Sequence, residues 1–165
     1  MKIAVLVPCY NEEAAIAKVV GDFRAALPGA AIYVYDNNST DQTRARAAEA
    51  GAVVRTESRQ GKGNVVRRMF ADIEADLYLL VDGDDTYDAA AAPVMIARLV
   101  ALGADLLTGR RVHSDAGAYR PGHVLGNKLL TGLTSWLFDV QLSDMLSGYR
   151  VFSRRFVKSF PLTSE

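Results

Sequence analysis

The chain has 165 residues, of which half are apolar and 23% are charged, and this balance excludes disordered and collagen-like proteins. Its 19 Lys and Arg residues equal its 19 Asp and Glu residues, whereas a general nucleic-acid binder would show a basic excess. The single Cys9 excludes a disulfide framework and a multi-cysteine zinc site. No stretch approaches the ~18 apolar residues of a membrane span, so we expect a soluble globular chain.

The charge is divided unevenly along the chain. Residues 1–105 contain 11 Lys or Arg and 15 Asp or Glu, a balance of −4, and residues 106–165 contain 8 and 4, a balance of +4. An acidic first part and a basic last part suit a site that holds a metal at one wall and phosphates at the other. Chance is the alternative explanation of the same division.

Short apolar runs predict five strands, over residues 2–7, 31–35, 52–56, 77–81 and 105–108. Residues 39–50 predict a helix capped by Ser39 or Thr40. Other segments carry apolar residues at helical spacing, and their predicted faces are Ile16, Val20, Phe23 and Leu27; Val65, Met69, Phe70 and Ile73; and Val94, Ala97 and Val100. Strands alternating with helices indicate an α/β fold with a mainly parallel sheet covered on both faces.

The carboxyl ends of the predicted strands carry the polar clusters. Ligands of parallel sheets bind at these ends, and residues 10–13, 36–41 and 82–88 all fall there. After Gly109 the alternation stops, and residues 109–122 predict a long loop before an amphipathic helix over residues 125–137. The chain then stops without a closing element, so we expect it to be a piece of a longer protein.

The acidic cluster Asp82-Gly83-Asp84 directly follows a predicted buried strand. Two carboxylates spaced in this way can bind one hard cation together with nucleotide phosphates, and oxygen ligands favour Mg²⁺ or Mn²⁺. The alternative is a solvated acidic turn in which Asp85 or Asp88 caps the next helix. The spacing of an EF-hand loop is absent.

Two other clusters suit contacts with a nucleotide. Pro8 is expected to end the first strand, after which Tyr10 could flank a base and Glu12 could accept hydrogen bonds from a base or ribose. Asp36, at the end of the second strand, could accept a base N–H. The alternative is a pair of ordinary strand-to-helix turns, whose capping residues would be Asn11, Ser39 and Asp41.

Basic residues occur in a turn and in a later loop. The glycine-rich turn at residues 59–64 opens a helix, where backbone N–H groups and Lys62 could bind phosphate. No P-loop and no G-x-G-x-x-G motif is present, which removes the main support for ATPase and dinucleotide-dehydrogenase functions. The loop after the fifth strand carries Arg110, Arg111 and Arg120, which suit phosphate capture or are simply solvated.

Five motifs in chain order resemble those of family 2 glycosyltransferases, most closely the dolichyl- or polyprenyl-phosphate sugar transferase branch, over essentially the whole chain. They are Pro8-Cys9-Tyr10-Asn11-Glu12, residues 36–41, Gly61-Lys62-Gly63, Asp82-Gly83-Asp84, and residues 147–152. The resemblance implies a GT-A fold, which is a Rossmann-like three-layer α/β/α arrangement with a mostly parallel sheet. It also implies a UDP- or GDP-sugar donor, a divalent metal and inversion at the anomeric carbon.

The same resemblance assigns roles to individual residues. The implied donor-binding residues are Pro8, Tyr10, Glu12, Asp36, Lys62, Asp82, Gly83 and Asp84. Among them, Asp82 and Asp84 would hold the Mg²⁺ or Mn²⁺. Arg110 and Arg150 fall where the branch uses basic residues near the diphosphate or the acceptor phosphate, and Asp144 is the candidate catalytic acid–base residue. The family's usual double Asp after the second strand is Asp36-Asn37 here.

We therefore expect a single, C-terminally incomplete GT-A domain over residues 1–165. Residues 1–109 would bind the nucleotide sugar, and residues 110–165 would begin the acceptor side. The expected acceptor is a polyprenyl phosphate at the cytoplasmic face of the cell membrane, with peripheral membrane contact and a role in cell-envelope biosynthesis. A saccharide hydroxyl is the alternative acceptor and would need Asp144 as its base.

Two other functions stay open at this point. A nucleotidyltransferase would share the metal and diphosphate chemistry, but it usually carries a Gly-rich basic loop after the first strand, where this chain has neither Gly nor Arg. An inactive nucleotide-sugar-binding domain would be expected to lose the acidic pair, and both Asp82 and Asp84 are present.

Overall fold

The computed structural model describes residues 1–109 and 147–159. All five predicted strands are present, and a sixth follows later in the chain. The strands are β1 (Ile3–Cys9), β2 (Ala31–Asp36), β3 (Val53–Thr56), β4 (Leu77–Leu80), β5 (Leu106–Thr108) and β6 (Arg150–Ser153). Pro8 does not end the first strand, since β1 continues through it to Cys9. Pro8 lies beyond the stretch of β1 that pairs with β4, so its missing N–H is tolerated there.

The six strands form one sheet in the order β3-β2-β1-β4-β6-β5. β1 pairs in parallel with β2 and β4, and β2 pairs in parallel with β3. β6 runs antiparallel to both β4 and β5. This reversed strand brings the residues that precede Arg150 to the carboxyl end of β4, where Leu80 is in register with Arg150. The sheet is therefore mostly parallel, as the sequence predicts.

Helices follow the strands along the chain. They are α1 (Ile16–Ala26), α2 (Thr43–Glu49), α3 (Lys62–Asp72), α4 (Ala92–Leu102) and α5 (Arg154–Ser159), with a short 3₁₀ turn (Ala89–Ala91) before α4. The predicted start of α2 at Ser39 or Thr40 is wrong. The Asp41 carboxylate instead accepts the Thr43 N–H at 3.0 Å and fixes the first turn there. Within the described residues, none of the helices combines the length and apolarity needed to cross a membrane.

Two apolar clusters cover the two faces of the sheet. Alternate residues of β1 divide between them, with Val5 and Val7 in the cluster that includes α1 and α4, and Leu6 in the cluster that includes α3. This division follows from the two-residue period of a strand. The result is a three-layer arrangement with helices on both faces, as expected.

The buried face of α4 differs from the predicted one. Val94 and Val100 are 69% and 51% exposed, whereas Met95, Ile96 and Leu99 are buried against the sheet. This helix is apolar on almost every side, so spacing alone does not reveal which side faces inward. The contact with the sheet decides it.

This assignment predicts different costs for two neighbouring truncations in α4. Leu99→Ala leaves a cavity and should lower the free energy of unfolding by about 2–5 kcal/mol. Val100→Ala removes an exposed side chain and should change it by less than about 0.5 kcal/mol. Urea unfolding of both variants measures the difference, and equal costs would contradict the inward orientation of Leu99.

Candidate functional site

A cleft of about 340 Å³ opens at the carboxyl ends of β1, β2 and β4. Loops after these strands and the turn that opens α3 form its walls. The lining residues are Pro8, Cys9, Tyr10, Glu12, Asn37, Gln60, Gly61, Lys62, Val65, Asp82, Gly83 and Asp84. The structure thus brings seven of the predicted donor-binding residues together, which are Pro8, Tyr10, Glu12, Lys62, Asp82, Gly83 and Asp84.

Hydrogen bonds between the loops after β1 and β2 hold Tyr10 and Glu12 at the cleft. The Asn11 N–H donates to Ser39 Oγ at 2.8 Å, and the Glu12 N–H donates to Thr43 Oγ1 at 2.8 Å. Asn11 has a positive φ of 55° and does not cap α1. Its side-chain oxygen instead accepts the Thr40 N–H at 2.9 Å, so the two loops form one rigid wall.

The acidic motif lies on the floor of the cleft and is fixed from two sides. The Lys62 ammonium donates to Asp82 Oδ1. A Cβ on Gly148 would overlap the Asp82 carboxylate, and a Cβ on Gly83 would lie 2.6 Å from Cys9 Sγ. Glycine at these two positions therefore permits the close packing that places Asp82.

The acids that follow Asp84 have different partners. Asp84 Oδ1 accepts the Thr86 N–H at 3.0 Å. Asp85 turns away to pair with Lys18 at 2.7 Å, outside the cleft. Asp88 Oδ1 accepts the Ala90 N–H at 2.9 Å, which confirms the capping role considered for it.

The cleft contains more negative charge than its own cation balances. Burial, followed by the charges of Asp84 and Asp82, raises the pKa of Glu12 above its ordinary value. Burial, followed by the charges of Glu12, Asp36, Asp82 and Asp84, raises the pKa of the Cys9 thiol, which is therefore a neutral filler rather than a nucleophile. A bound cation would relieve this repulsion.

The donor set fits a metal that is shared with a ligand. Among residues 1–109 and 147–159, no group of three His, Cys, Asp or Glu side chains is arranged to hold a metal ion by itself. Asp82 and Asp84 supply hard carboxylate oxygens, and Mg²⁺ is usually held by one or two carboxylates together with substrate phosphates. The pair therefore suits Mg²⁺ or Mn²⁺ only with a phosphate-bearing ligand present.

Asp36 lies beneath the cleft rather than in its wall. It is completely buried, its Oδ2 accepts the Ser39 N–H at 3.2 Å, and its Oδ1 has no hydrogen-bond partner. Its nearest cation is Arg44, whose Nε lies 3.8 Å from Oδ2. The neighbouring Asn37 occupies the wall instead, because successive residues at a strand end point in opposite directions.

The segment that precedes β6 lies beside the acidic motif, at the edge of the cleft. The Gly148 N–H donates to the Tyr87 hydroxyl at 2.7 Å, and the Tyr149 hydroxyl donates to the Asp88 carbonyl at 3.1 Å. Arg150 begins β6, and its Nε donates to the Ser147 carbonyl at 3.0 Å. Arg110 and Asp144 lie outside the described residues, together with the rest of the basic loop and the amphipathic helix expected at residues 125–137.

Five residues of the cleft were not among the predicted donor-binding residues, namely Cys9, Asn37, Gln60, Gly61 and Val65. The position of Asn37 directly after a buried strand could have identified it, although its charged neighbour Asp36 is the more obvious candidate. Gln60 belongs to the glycine-rich turn that the sequence did single out. Tyr87 and Gly148 contact each other from positions 61 residues apart, so no local pattern could have paired them.

Comparison with known proteins identifies the family of the chain. The model of glycosyl transferase family 2 matches residues 4–160. The chain belongs to this family. The match includes both carboxylates on the floor of the cleft and the residues that precede β6.

Individual family members differ in their identity to this chain and in the share of their own length that aligns with it. It is 57% identical to the protein RfbJ of Shigella flexneri over 122 residues, which are 73% of this chain and 95% of RfbJ. It is 37% identical to the glycosyltransferase AglJ of Haloferax volcanii over 165 residues, which are 99% of this chain and 54% of AglJ. A dolichyl-phosphate hexose transferase of the same archaeon is 29% identical over 98% of this chain and 70% of its own length. The chain thus spans about half the length of AglJ.

Solved structures of a family relative share the described architecture. Glucosyl-3-phosphoglycerate synthase of Mycobacterium tuberculosis, in complex with Mn²⁺, UDP and glucosyl-3-phosphoglycerate, superposes with a TM-score of 0.78 and 28% identity. The alignment covers 97% of this chain and 59% of that enzyme. A second complex of the same enzyme contains Mn²⁺, UDP-glucose and phosphoglyceric acid. The GT-A fold class expected from the sequence is confirmed.

The raised pKa of Glu12 predicts that this side chain destabilises the ligand-free fold. The folded protein holds the charged form less favourably than the unfolded chain does, so stability falls as pH rises through the raised pKa. Glu12→Gln should therefore raise the melting temperature at neutral pH, and the gain should shrink as the pH is lowered. Calorimetry across a pH series measures this difference. A lower melting temperature at neutral pH would contradict the repulsion between Glu12 and the acidic motif.

Proposed function

We propose that the chain is the donor-binding part of an inverting, metal-dependent hexosyltransferase. The observation that carries the proposal is the cleft in which Glu12, Lys62, Asp82 and Asp84 converge at the carboxyl edge of the sheet. The acidic pair can hold a metal ion, and a lysine lies beside it at the start of a helix. The metal ion and the lysine together would complement the negative charge of a nucleotide diphosphate. Family membership and the Mn²⁺ and UDP bound by the mycobacterial relative support the same donor class.

Each residue of the cleft has a defined part in donor binding. Asp82 and Asp84 would hold the Mg²⁺ or Mn²⁺, which when bound neutralises the charge that develops on the departing diphosphate. Lys62 balances charge on the same floor, where it already pairs with Asp82. Tyr10, 52% exposed at the rim, offers a ring face for the base, and Glu12 offers acceptor oxygens for the ribose. Asp36 acts from below by fixing the Ser39 N–H of the wall.

For the acceptor we propose an anionic phosphate, in particular a polyprenyl phosphate at the cytoplasmic face of a membrane. One relative is named as a dolichyl-phosphate hexose transferase, and the mycobacterial relative binds phosphoglyceric acid. The first name gives a lipid phosphate as the acceptor, and the ligand of the second carries a phosphate that a basic site would have to hold. Arg150 at the acidic edge of the sheet, and Arg110 in the loop after β5, are the residues proposed to hold such a group.

A phosphate oxygen is already anionic and attacks without a strong base, so the protein does not need to supply a general base for this acceptor. A saccharide hydroxyl is the second candidate, and it would require Asp144 to remove a proton. Two observations favour it, namely an acid at this position in the sequence and the glucosyl-3-phosphoglycerate bound by the mycobacterial relative, which carries its sugar on the glycerate and keeps the 3-phosphate.

The donor proposal predicts that metal-dependent nucleotide binding requires Asp84 and not its neighbour. Asp84→Asn should weaken Mn²⁺-dependent binding of UDP or GDP by more than about tenfold, because a polar interaction with a charged group contributes about 1.5–3 kcal/mol. Asp85→Asn removes the same charge outside the cleft and keeps a residue that tolerates its positive φ of 61°, so it should bind like the parent chain. Titration calorimetry with UDP, GDP and their sugars, with and without EDTA, measures both.

Three outcomes would contradict the proposal, one in the calorimetry and two in assays of enzyme activity. Affinity that EDTA leaves unchanged would remove the metal from the donor site. Release of pyrophosphate from a sugar 1-phosphate and a nucleoside triphosphate would identify a nucleotidyltransferase. Binding of nucleotide sugars by the full-length protein without transfer to any acceptor would identify an inactive binding domain.

The acceptor proposal predicts a lipid-linked product. The full-length protein that contains this chain, incubated with a radiolabelled nucleotide sugar and extracted lipids, should transfer label to an organic-soluble product that mild acid hydrolyses. Arg150→Gln should reduce this transfer while leaving UDP affinity within about threefold, since rim charges act mainly on their own ligand. Label found only on soluble saccharides would contradict the lipid acceptor and favour the hydroxyl mechanism.

A further inference from the structure

The side chain of Asn37 makes three hydrogen bonds to the backbone of a neighbouring loop. Its Nδ2 donates to the carbonyl oxygens of Glu57 at 2.7 Å and Arg59 at 2.8 Å. Its Oδ1 accepts the N–H of Gly61 at 2.7 Å. Only 4% of the residue is exposed. Both amide protons are therefore committed to the backbone of residues 57–61, although the residue lies in the wall of the cleft.

The backbone of Asn37 connects the same loop to the centre of the sheet. Its N–H donates to the Cys9 carbonyl at 2.9 Å, at the end of β1. One residue earlier, the Asp36 carbonyl accepts the Glu57 N–H at 2.9 Å. The loop after β3 is thus held against the ends of both β1 and β2, with Asn37 as the common contact.

This loop leads directly into the turn that places Lys62. Gly61 has a φ of 123°, a conformation that side chains rarely adopt, and it ends the loop. Lys62 is the first residue of α3, and its ammonium pairs with Asp82 on the floor of the cleft. A shift of Gly61 would therefore be transmitted to the cation beside the acidic pair.

We propose that Asn37 is a positioning residue that sets the turn at Gly61 and, through it, holds Lys62 against Asp82. An Asp at this position would lack both donors and would direct a carboxylate oxygen at two carbonyl oxygens, which is repulsive. In this chain the amide therefore supplies two hydrogen bonds to the loop that a carboxylate could not donate. The consequence for ligand binding rests on the proposed donor function, whereas the positioning belongs to the ligand-free protein.

Hydrogen exchange in the ligand-free chain tests the positioning directly. Asn37→Asp should accelerate amide exchange in residues 57–64 by about tenfold to a hundredfold, the effect of losing hydrogen bonds worth about 1–3 kcal/mol. Asn37→Ser, too short to span to the loop, should act similarly and serves if the Asp variant does not fold. Gln42→Glu adds the same charge at an exposed position of the neighbouring loop and should leave residues 57–64 unchanged. Unchanged exchange of this segment in a folded Asn37 variant would overturn the proposal.

A double-mutant cycle then tests whether Asn37 acts through Lys62. Lys62→Met should weaken binding of UDP with Mn²⁺ by about tenfold in the parent chain, but by less than about twofold in the Asn37→Ser background. Equal effects in both backgrounds would show that Asn37 does not act through Lys62. If the parent chain binds neither UDP nor GDP, the proposed donor function is wrong, and the exchange experiment alone decides the role of Asn37.

Discussion

Repulsion among Glu12, Asp82 and Asp84 is the constraint on which the rest of the site depends. The sheet places these three carboxylates in one cleft because β1 and β4 are neighbours and both end there. Burial, followed by the charges of Asp84 and Asp82, raises the pKa of Glu12, so the charged carboxylate is held at a cost in the ligand-free fold. A cation bound between these acids would relieve that cost, which supports the donor site proposed above.

The surrounding loops hold the acids in place against this repulsion. The β1 and β2 loops exchange hydrogen bonds through Asn11, Ser39 and Thr43, so Glu12 cannot easily move away. Lys62 approaches Asp82 from the opposite side, at the end of the loop that Asn37 holds. Gly148 lies against the Asp82 carboxylate and is itself held by Tyr87. The site is therefore rigid where charge is concentrated, which is the condition for electrostatic preorganisation.

The antiparallel strand β6 brings a late part of the sequence to the acidic motif. Its reversed direction places residues 147–150 at the carboxyl end of β4, with Gly148 against the Asp82 carboxylate. An acceptor group held by Arg150 would then stand beside the diphosphate rather than across the sheet from it. AglJ is nearly twice as long as this chain, whereas 95% of RfbJ aligns with it.

The sequence by itself determined the alternation of the first five strands with helices, the edge of the sheet that carries the cleft and most of the residues that line it, but it did not reveal β6. These features follow from apolar periodicity and from polar residues placed directly after buried strands, both of which are local. The tertiary structure decided the features that depend on direction and distance. It placed Asn37 rather than Asp36 in the wall, because the alternation of side chains at the end of β2 depends on register. It turned Leu99 rather than Val100 inward, which spacing alone does not reveal because α4 is apolar on almost every side. It also paired Lys62 with Asp82 and Gly148 with Tyr87, since contacts between distant segments are set by the packing of the whole sheet and leave no local trace in the chain.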